Sequence, residues 1–275
     1  MELWEEIKNK KRIVIKVGTT TITHEQTGNI NLGKLEKFVR VLTDIRNQGK
    51  EVIVVSSGSV AVGRTALGIE ERPREGAMKQ ACAAVGQAKL MMIYEKFFSE
   101  YSQMTAQILL TKESILNQDC RKQAKIAFEK LLNMNVIPIV NENDAIAVDE
   151  ELYGVFGDND TMAAQVAELV GADLLILMSD IDGLYTDDPK CNPDAKLIHT
   201  VRKVDGKLED MAKGSGSDHG TGGMRTKLEA ARIIMEAEGD MVIANGEDIS
   251  IIYDIMDGKQ TGTLFVGRQN GGNKA

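Results

Sequence analysis

Cysteine and histidine are scarce in this chain of 275 residues, with three of each. Cys82, Cys120 and Cys191 are odd in number and far apart, which excludes a disulfide framework and makes reduced thiols the default. With only His24, His199 and His219 available, no zinc-ligand spacing can be assembled. Also missing is any apolar run approaching about 18 residues, the length a membrane helix needs. The opening Met1-Glu2-Leu3-Trp4-Glu5-Glu6 is acidic and lacks the basic and apolar regions of a secretory signal, so a cytoplasmic protein is expected. Positive charge is outnumbered: 33 basic against 41 acidic residues leave a net charge of -8. That argues against a general nucleic-acid or bilayer binder, and any anion site must be built locally. What is present, 43% hydrophobic and 27% charged residues, is the composition of a globular protein with a sizeable core.

The first apolar segment, Arg12-Ile13-Val14-Ile15-Lys16-Val17-Gly18, continues into Thr19-Thr20-Thr21 and reads as a buried strand carrying a lysine near its end. Burying that ammonium unpaired is costly, so Lys16 either snorkels to the surface or meets an anion. From Asn31, the positions Leu32, Leu35, Phe38, Val39, Leu42 and Ile45 recur at three and four, one face of a helix ending near Gly49. A short apolar strand follows at Glu51 to Val55, then a helix over 77 to 99, a strand over Gln103 to Leu110, a helix from Asp119 to Asn133 and a strand from Val136 to Val140. A small hairpin fits the stretch between Ile146 and Phe156, and Asp160 fits the N-cap of a helix from Thr161 to Val170. Beyond it come a strand from Asp173 to Met178, a helix after Gly223 and strands at Asp240 to Ala244 and Gly262 to Val266. This alternation predicts a mostly parallel sheet between helices, with ligands outside the carboxyl ends of the strands. Neither a repeat nor a long linker is seen, so two lobes sharing one sheet are expected, with a weak boundary near Gly171.

Four loops at strand ends carry polar chemistry. Ser56-Ser57-Gly58-Ser59 is either an ordinary helix start or a small cradle for a carboxylate or phosphate. Asn141-Glu142-Asn143-Asp144 and Gly157-Asp158-Asn159-Asp160 offer carboxylates and amides to a small polar amine or amino acid; a solvated turn looks similar. Thr221-Gly222-Gly223-Met224-Arg225-Thr226-Lys227 follows a glycine-rich run and opens a helix with a lysine on its first turn, so backbone donors, helix dipole and ammonium face one anion. The Walker A spacing is absent. The loop from Ser179 to Pro189 fails as an EF-hand, since its ligand spacing is off and it follows a strand; contact with a nucleotide is more economical.

Taken in order, Lys16-Val17-Gly18-Thr19, Val55-Ser56-Ser57-Gly58, Ala84-Val85-Gly86-Gln87, Asn141 to Asp144, Gly157 to Asp160, Gly183-Leu184-Tyr185-Thr186 and Thr221 to Lys227 resemble the glutamate 5-kinases, a family of the amino acid kinase superfamily. The resemblance runs from about residue 11 to Val266. It implies a three-layer αβα sandwich around a central, mostly parallel sheet, the amino acid kinase fold. It also implies phosphorylation of the L-glutamate side-chain carboxylate by ATP with Mg²⁺, the first step towards proline. Residue by residue, Ser57, Asp144 and Asn159 resemble glutamate-binding positions. Lys16 and Lys227 resemble phosphate-binding lysines that reach the transferring group from opposite lobes, with Asp160 holding them. Ser179, Asp180 and Thr221, Gly222, Gly223, Met224, Arg225, Thr226 and Lys227 resemble the ATP-binding elements. Ser179 stands where the family usually has threonine, which keeps the hydroxyl. The implied layout is one kinase domain, an N-lobe of about 1–171 for glutamate and a C-lobe of about 172–275 for ATP, without the C-terminal PUA domain of many bacterial members. Feedback by proline and a homo-oligomer are further family expectations. The competing readings are a sister kinase for aspartate, N-acetylglutamate or carbamate, and a non-catalytic amino-acid sensor.

Overall fold

The computed structural model describes residues 2–24, 26–71, 73, 76–146, 159–189, 191–206, 208 and 223–267. In chain order its elements begin with α1 (Glu2–Glu5), β1 (Arg12–Val17), α2 (Thr19–Ile22), α3 (Leu32–Asn47), β2 (Glu51–Ser56), α4 (Ser59–Ala66), α5 (Gly76–Glu100) and β3 (Thr105–Leu110). There follow α6 (Lys112–Leu116), α7 (Gln118–Asn133), β4 (Ile137–Glu142), α8 (Asn159–Val170), β5 (Leu174–Ser179), β6 (Thr200–Val201), α9 (Met224–Glu236), β7 (Asp240–Asn245), α10 (Ile251–Met256) and β8 (Thr263–Phe265). They fall into two compact units: Val17–Asn159, and Met1–Lys16 together with Asp160–Ala275. The divisions come after Lys16 and after Asn159 rather than near Gly171.

In the unit Val17–Asn159 the strands run in the order β3-β4-β2 and both pairings are parallel, with Val54 opposite Ile139 and Thr105 opposite Ile137. In the other unit the order is β1-β5-β7-β8-β6. There β7 runs parallel to β5 and antiparallel to β8. Every residue of β5 is buried, as are Ile13, Val14, Ile15 and Val17 of β1. Because successive strand side chains point to opposite faces, such burial requires cover on both sides of the sheet, the sandwich expected from the alternation.

The helix pattern from Asn31 is realised as α3, whose first turn is capped by the Asn31 side chain accepting from the Lys34 N–H at 3.0 Å. Leu35, Phe38, Val39, Leu42 and Ile45 are buried, whereas Leu32 is 53% exposed because it sits in the first turn beyond the core face. Most element boundaries shift by one or two residues from expectation, and three of the shifts bear on the site. Strand β1 stops at Val17, and Thr19 to Ile22 turn into a short helix with Gly18 as its N-cap. Gly18 itself has φ -80, so its conformation does not require glycine. Strand β4 begins one residue late and runs on through Asn141 and Glu142, because these still pair with Leu109 and Leu110 of β3. Asn159 and Asp160 both lie inside α8, so Asp160 is a first-turn residue and not the cap. The hairpin expected up to Phe156, with Gly157 and Asp158, lies largely outside the described residues.

Candidate active site

Lys16, Asp160 and Lys227 come from three segments of one unit: the end of β1, the first turn of α8 and the first turn of α9. The Lys16 Nζ stands 2.6 Å from Asp160 Oδ1, and the Lys227 Nζ donates to Asp160 Oδ2 at 2.9 Å. All three are buried, with Asp160 only 1% exposed. Of the two readings of Lys16, surface snorkelling is therefore excluded. Both lysines belong to the same unit, which corrects the expectation that they come from opposite lobes. Burial pushes the Asp160 carboxyl up, but the two ammonium groups and their hydrogen bonds outweigh it and hold the group below the ordinary 3.8. Two ammonium charges around one carboxylate leave a net positive charge in a buried place, a setting that favours an anion.

Gly223 is the N-cap of α9, and among the described residues no side chain caps this helix start, the kind of terminus at which backbone N–H groups can meet an anion. Within that turn the Thr226 Oγ1 donates back to the Gly223 carbonyl at 2.8 Å, Arg225 is exposed and Met224 is half-buried. Thr221 and Gly222 lie outside the described residues, as does His219. At the end of β5 the Ser179 hydroxyl donates to Asp180 Oδ1 at 3.1 Å. Beside it, Asp182 accepts from Asn245 Nδ2 at 2.8 Å and from the Tyr185 hydroxyl at 2.9 Å. Asn245 is the last residue of β7 and the register partner of Ser179, a placement the sequence does not reveal. Its signal there is only a polar residue closing an apolar strand.

The three amino-acid-binding candidates fall into two contacts within the unit Val17–Asn159. The Asn159 amide donates to the Ser57 hydroxyl. The Ser59 hydroxyl donates to Asp144 Oδ2 at 3.2 Å. Ser57 and Ser59 flank Gly58, whose φ of 100 is the left-handed turn that sends the chain from β2 into α4. In the sequence Ser59 is only one more small polar residue of that loop, yet it bonds the Asp144 carboxylate. A second support comes from α5: Asn141 Nδ2 donates to Gln87 Oε1 at 2.8 Å, while Asn141 Oδ1 accepts the Glu142 N–H at 2.9 Å. Asp144 lines a cavity of about 200 Å³ with Ser59, Gln87, Gln107, Glu142 and an apolar floor that includes Ala84 and Leu109. Among the described residues no group of three or more His, Cys, Asp or Glu is placed to hold a metal ion, and no helix is long and apolar enough to cross a membrane.

Known proteins resemble this chain along nearly its whole length. The profile of the Amino acid kinase family matches residues 11–245. A glutamate 5-kinase of Clostridium perfringens is 48% identical over 265 residues, covering 96% of this chain and 98% of that one. The glutamate 5-kinase of Carboxydothermus hydrogenoformans is 50% identical over 261 residues, covering 95% of this chain and 69% of its own. Among solved structures, carbamate kinase from Giardia lamblia bound to AMP-PNP superposes with a TM-score of 0.67 at 14% identity, covering 95% of this chain and 100% of that one. UMP kinase from Bacillus anthracis does so with a TM-score of 0.62 at 17% identity, covering 94% and 97%. At such identities the structural likeness carries the fold alone.

Proposed function

The chain belongs to the amino acid kinase family, and from that premise we propose that it transfers the terminal phosphoryl group of ATP to the side-chain carboxylate of L-glutamate. The product is L-glutamyl 5-phosphate, the first intermediate towards proline. The observation that carries the chemistry is the buried Lys16–Asp160–Lys227 cluster. A carboxylate acceptor is already ionised at neutral pH, so no general base is needed. What the transfer does need is positive charge where negative charge gathers. At an effective dielectric of about 20, an ammonium about 4 Å from a phosphate charge gains roughly 4 kcal/mol before desolvation. Asp160 allows the two ammonium groups to be buried together, each on its own carboxylate oxygen. In this reading Lys16, Lys227 and Asp160 form the catalytic set, with Ser179, Asp180 and residues 221–227 on the nucleotide.

Ser57, Asp144 and Asn159 hold glutamate, its ammonium on Asp144. Asn159 and Asp160 are consecutive, so the polypeptide itself joins the glutamate residues to the lysine cluster. That layout assigns glutamate to the unit Val17–Asn159 and the nucleotide to the other. Mg²⁺ carried on ATP would supply charge neutralisation at the phosphate oxygens; the donor set of Lys16 and Lys227 fits the phosphates rather than a metal cage. Dependence on ATP fits the cytoplasm. Proline as an inhibitor competing with glutamate, and a homo-oligomer, complete the proposal; inhibition kinetics and sedimentation test them.

A coupled assay of ATP consumption with glutamate, together with hydroxylamine trapping of the acyl phosphate, tests the function directly. Glutamate-dependent hydroxamate is the expected result. Turnover with N-acetylglutamate or carbamate but not glutamate would move the chain to a sister activity, and binding without turnover would make it a sensor.

A further inference from the structure

Gln87 lines the cavity that contains Asp144 and is only 8% exposed. Its orientation is fixed by a chain of donors that begins at the backbone. The Glu142 N–H can only donate, so the Asn141 atom it meets at 2.9 Å is the oxygen. Asn141 therefore turns its NH₂ towards Gln87, and the Gln87 atom that receives it at 2.8 Å is Oε1. The Gln87 NH₂ is what remains, and no described residue accepts from it. A largely buried amide with an unused donor calls for an acceptor, and here the guest of the cavity can supply one. Other donors nearby are already engaged or less fixed: the Ser59 hydroxyl is spent on Asp144, and of the cavity's other two amides Gln107 is exposed and Asn143 is half-exposed, with no side-chain bond among the described residues like the one that orients Gln87. The remaining charged groups of the cavity, Asp144 and Glu142, are carboxylates and suit an ammonium.

We propose that Gln87 is a substrate-binding residue whose Nε2 donates to the α-carboxylate of the amino acid that Asp144 holds by its ammonium. The proposal rests on the glutamate reading above and sharpens it. Glutamate carries two carboxylates, and holding the α one leaves the side-chain one to receive the phosphoryl group. Gln87 then helps to decide which carboxylate reacts, through an orientation set by a backbone N–H two hydrogen bonds away.

The test uses Gln87→Glu, which keeps an acceptor for the Asn141 amide while removing the donor, and Gln87→Met, which removes both. For Gln87→Glu the KM for L-glutamate is expected to rise roughly 10- to 100-fold, the effect of losing a hydrogen bond to a charged group. The KM for ATP and the thermal midpoint should stay near wild type. Inhibition by 4-aminobutyrate, which lacks the α-carboxylate, should be no weaker than in wild type, whereas a merely structural role would weaken it in parallel. An unchanged KM for glutamate in Gln87→Glu would overturn the proposal. So would a loss shared equally by glutamate, 4-aminobutyrate and thermal stability, which would reduce Gln87 to a prop for Asn141. Wild-type protein is the control: if it forms no acyl phosphate from glutamate, the functional reading fails first and takes this ligand assignment with it.

Discussion

Asp160 is the residue on which the lysine cluster depends. Replacing it by asparagine leaves Lys16 and Lys227 buried side by side with only a neutral amide between them. Breaking a buried ion pair from one side costs about 3–5 kcal/mol, so Asp160→Asn should unfold at clearly lower denaturant, with turnover lost as well. Lys16→Ala and Lys227→Ala should instead show mainly in kcat, by about 100-fold or more, with a much smaller change in the KM for glutamate. The pH dependence follows from the same contacts. Since the folded-state pKa of Asp160 lies below its ordinary 3.8, its contribution is fully present above that value and is lost as pH falls through the lowered one. The stability gap between wild type and Asp160→Asn should therefore be constant near neutrality and shrink only below about pH 3.8. A gap that closes nearer neutral pH would mean the carboxylate is not held by the two lysines.

Helices α4 and α5 cross closely enough that only glycine fits at the contact. A Cβ on Gly63 would lie 1.8 Å from the Cys82 carbonyl oxygen, and one on Gly86 would lie 1.8 Å from the Ser59 carbonyl oxygen. Gly86 thus presses on the backbone of the serine that fixes Asp144, while its neighbour Gln87 holds Asn141. Gly86→Ala must push the helices apart. It should destabilise by about 1–3 kcal/mol or more and raise the KM for glutamate without moving that for ATP. Gly33→Ala in α3 is the contrast: the nearest atom to its Cβ is 3.7 Å away, and a stabilisation of about 0.5–1 kcal/mol is expected. Equal thermal midpoints for the two variants would refute this account of the crossing.

The crossing also marks where sequence reading stops. Lys16 stands out as a charge inside an otherwise apolar run, Ile13 to Val17, and Asn141 to Asp144 as polar residues closing another, because burial and alternation write themselves into adjacent positions. Gly63 and Gly86 belong to separate helices, and nothing local encodes their contact. In α5, apolar residues lie all round, from buried Leu90 and Phe98 to Met92 at 70% exposure, so periodicity does not separate the face that carries Gln87. Bonds such as Ser59 to Asp144, 85 residues apart, and the two-residue strand β6 leave no pattern at all.

At the scale of the whole molecule, the residues assigned to glutamate and those assigned to phosphate sort into different compact units, with Asn159 and Asp160 as neighbours across the division. A ligand that binds only the folded state stabilises it by about 2.7 kcal/mol at one hundred times its Kd, and the protection is greatest where its contacts are. Hydrogen exchange should therefore resolve two footprints. L-Glutamate alone should slow exchange at Ser57–Ser59, at Asn141–Ala145 and in α5 around Gln87. A non-hydrolysable ATP analogue alone should slow it at Ser179–Asp182 and in the first turn of α9, Met224–Lys227. Lys227→Ala should weaken the second footprint locally, in the first turn of α9, and leave the first unchanged, because the cluster and the Asp144 cavity draw their residues from separate units. Gln87→Glu should do the reverse. If the nucleotide analogue instead protected Asn141–Ala145 in the absence of glutamate, the assignment of these residues to the amino acid would fail, and the cavity beside Gln87 would have to be reassigned to the nucleotide.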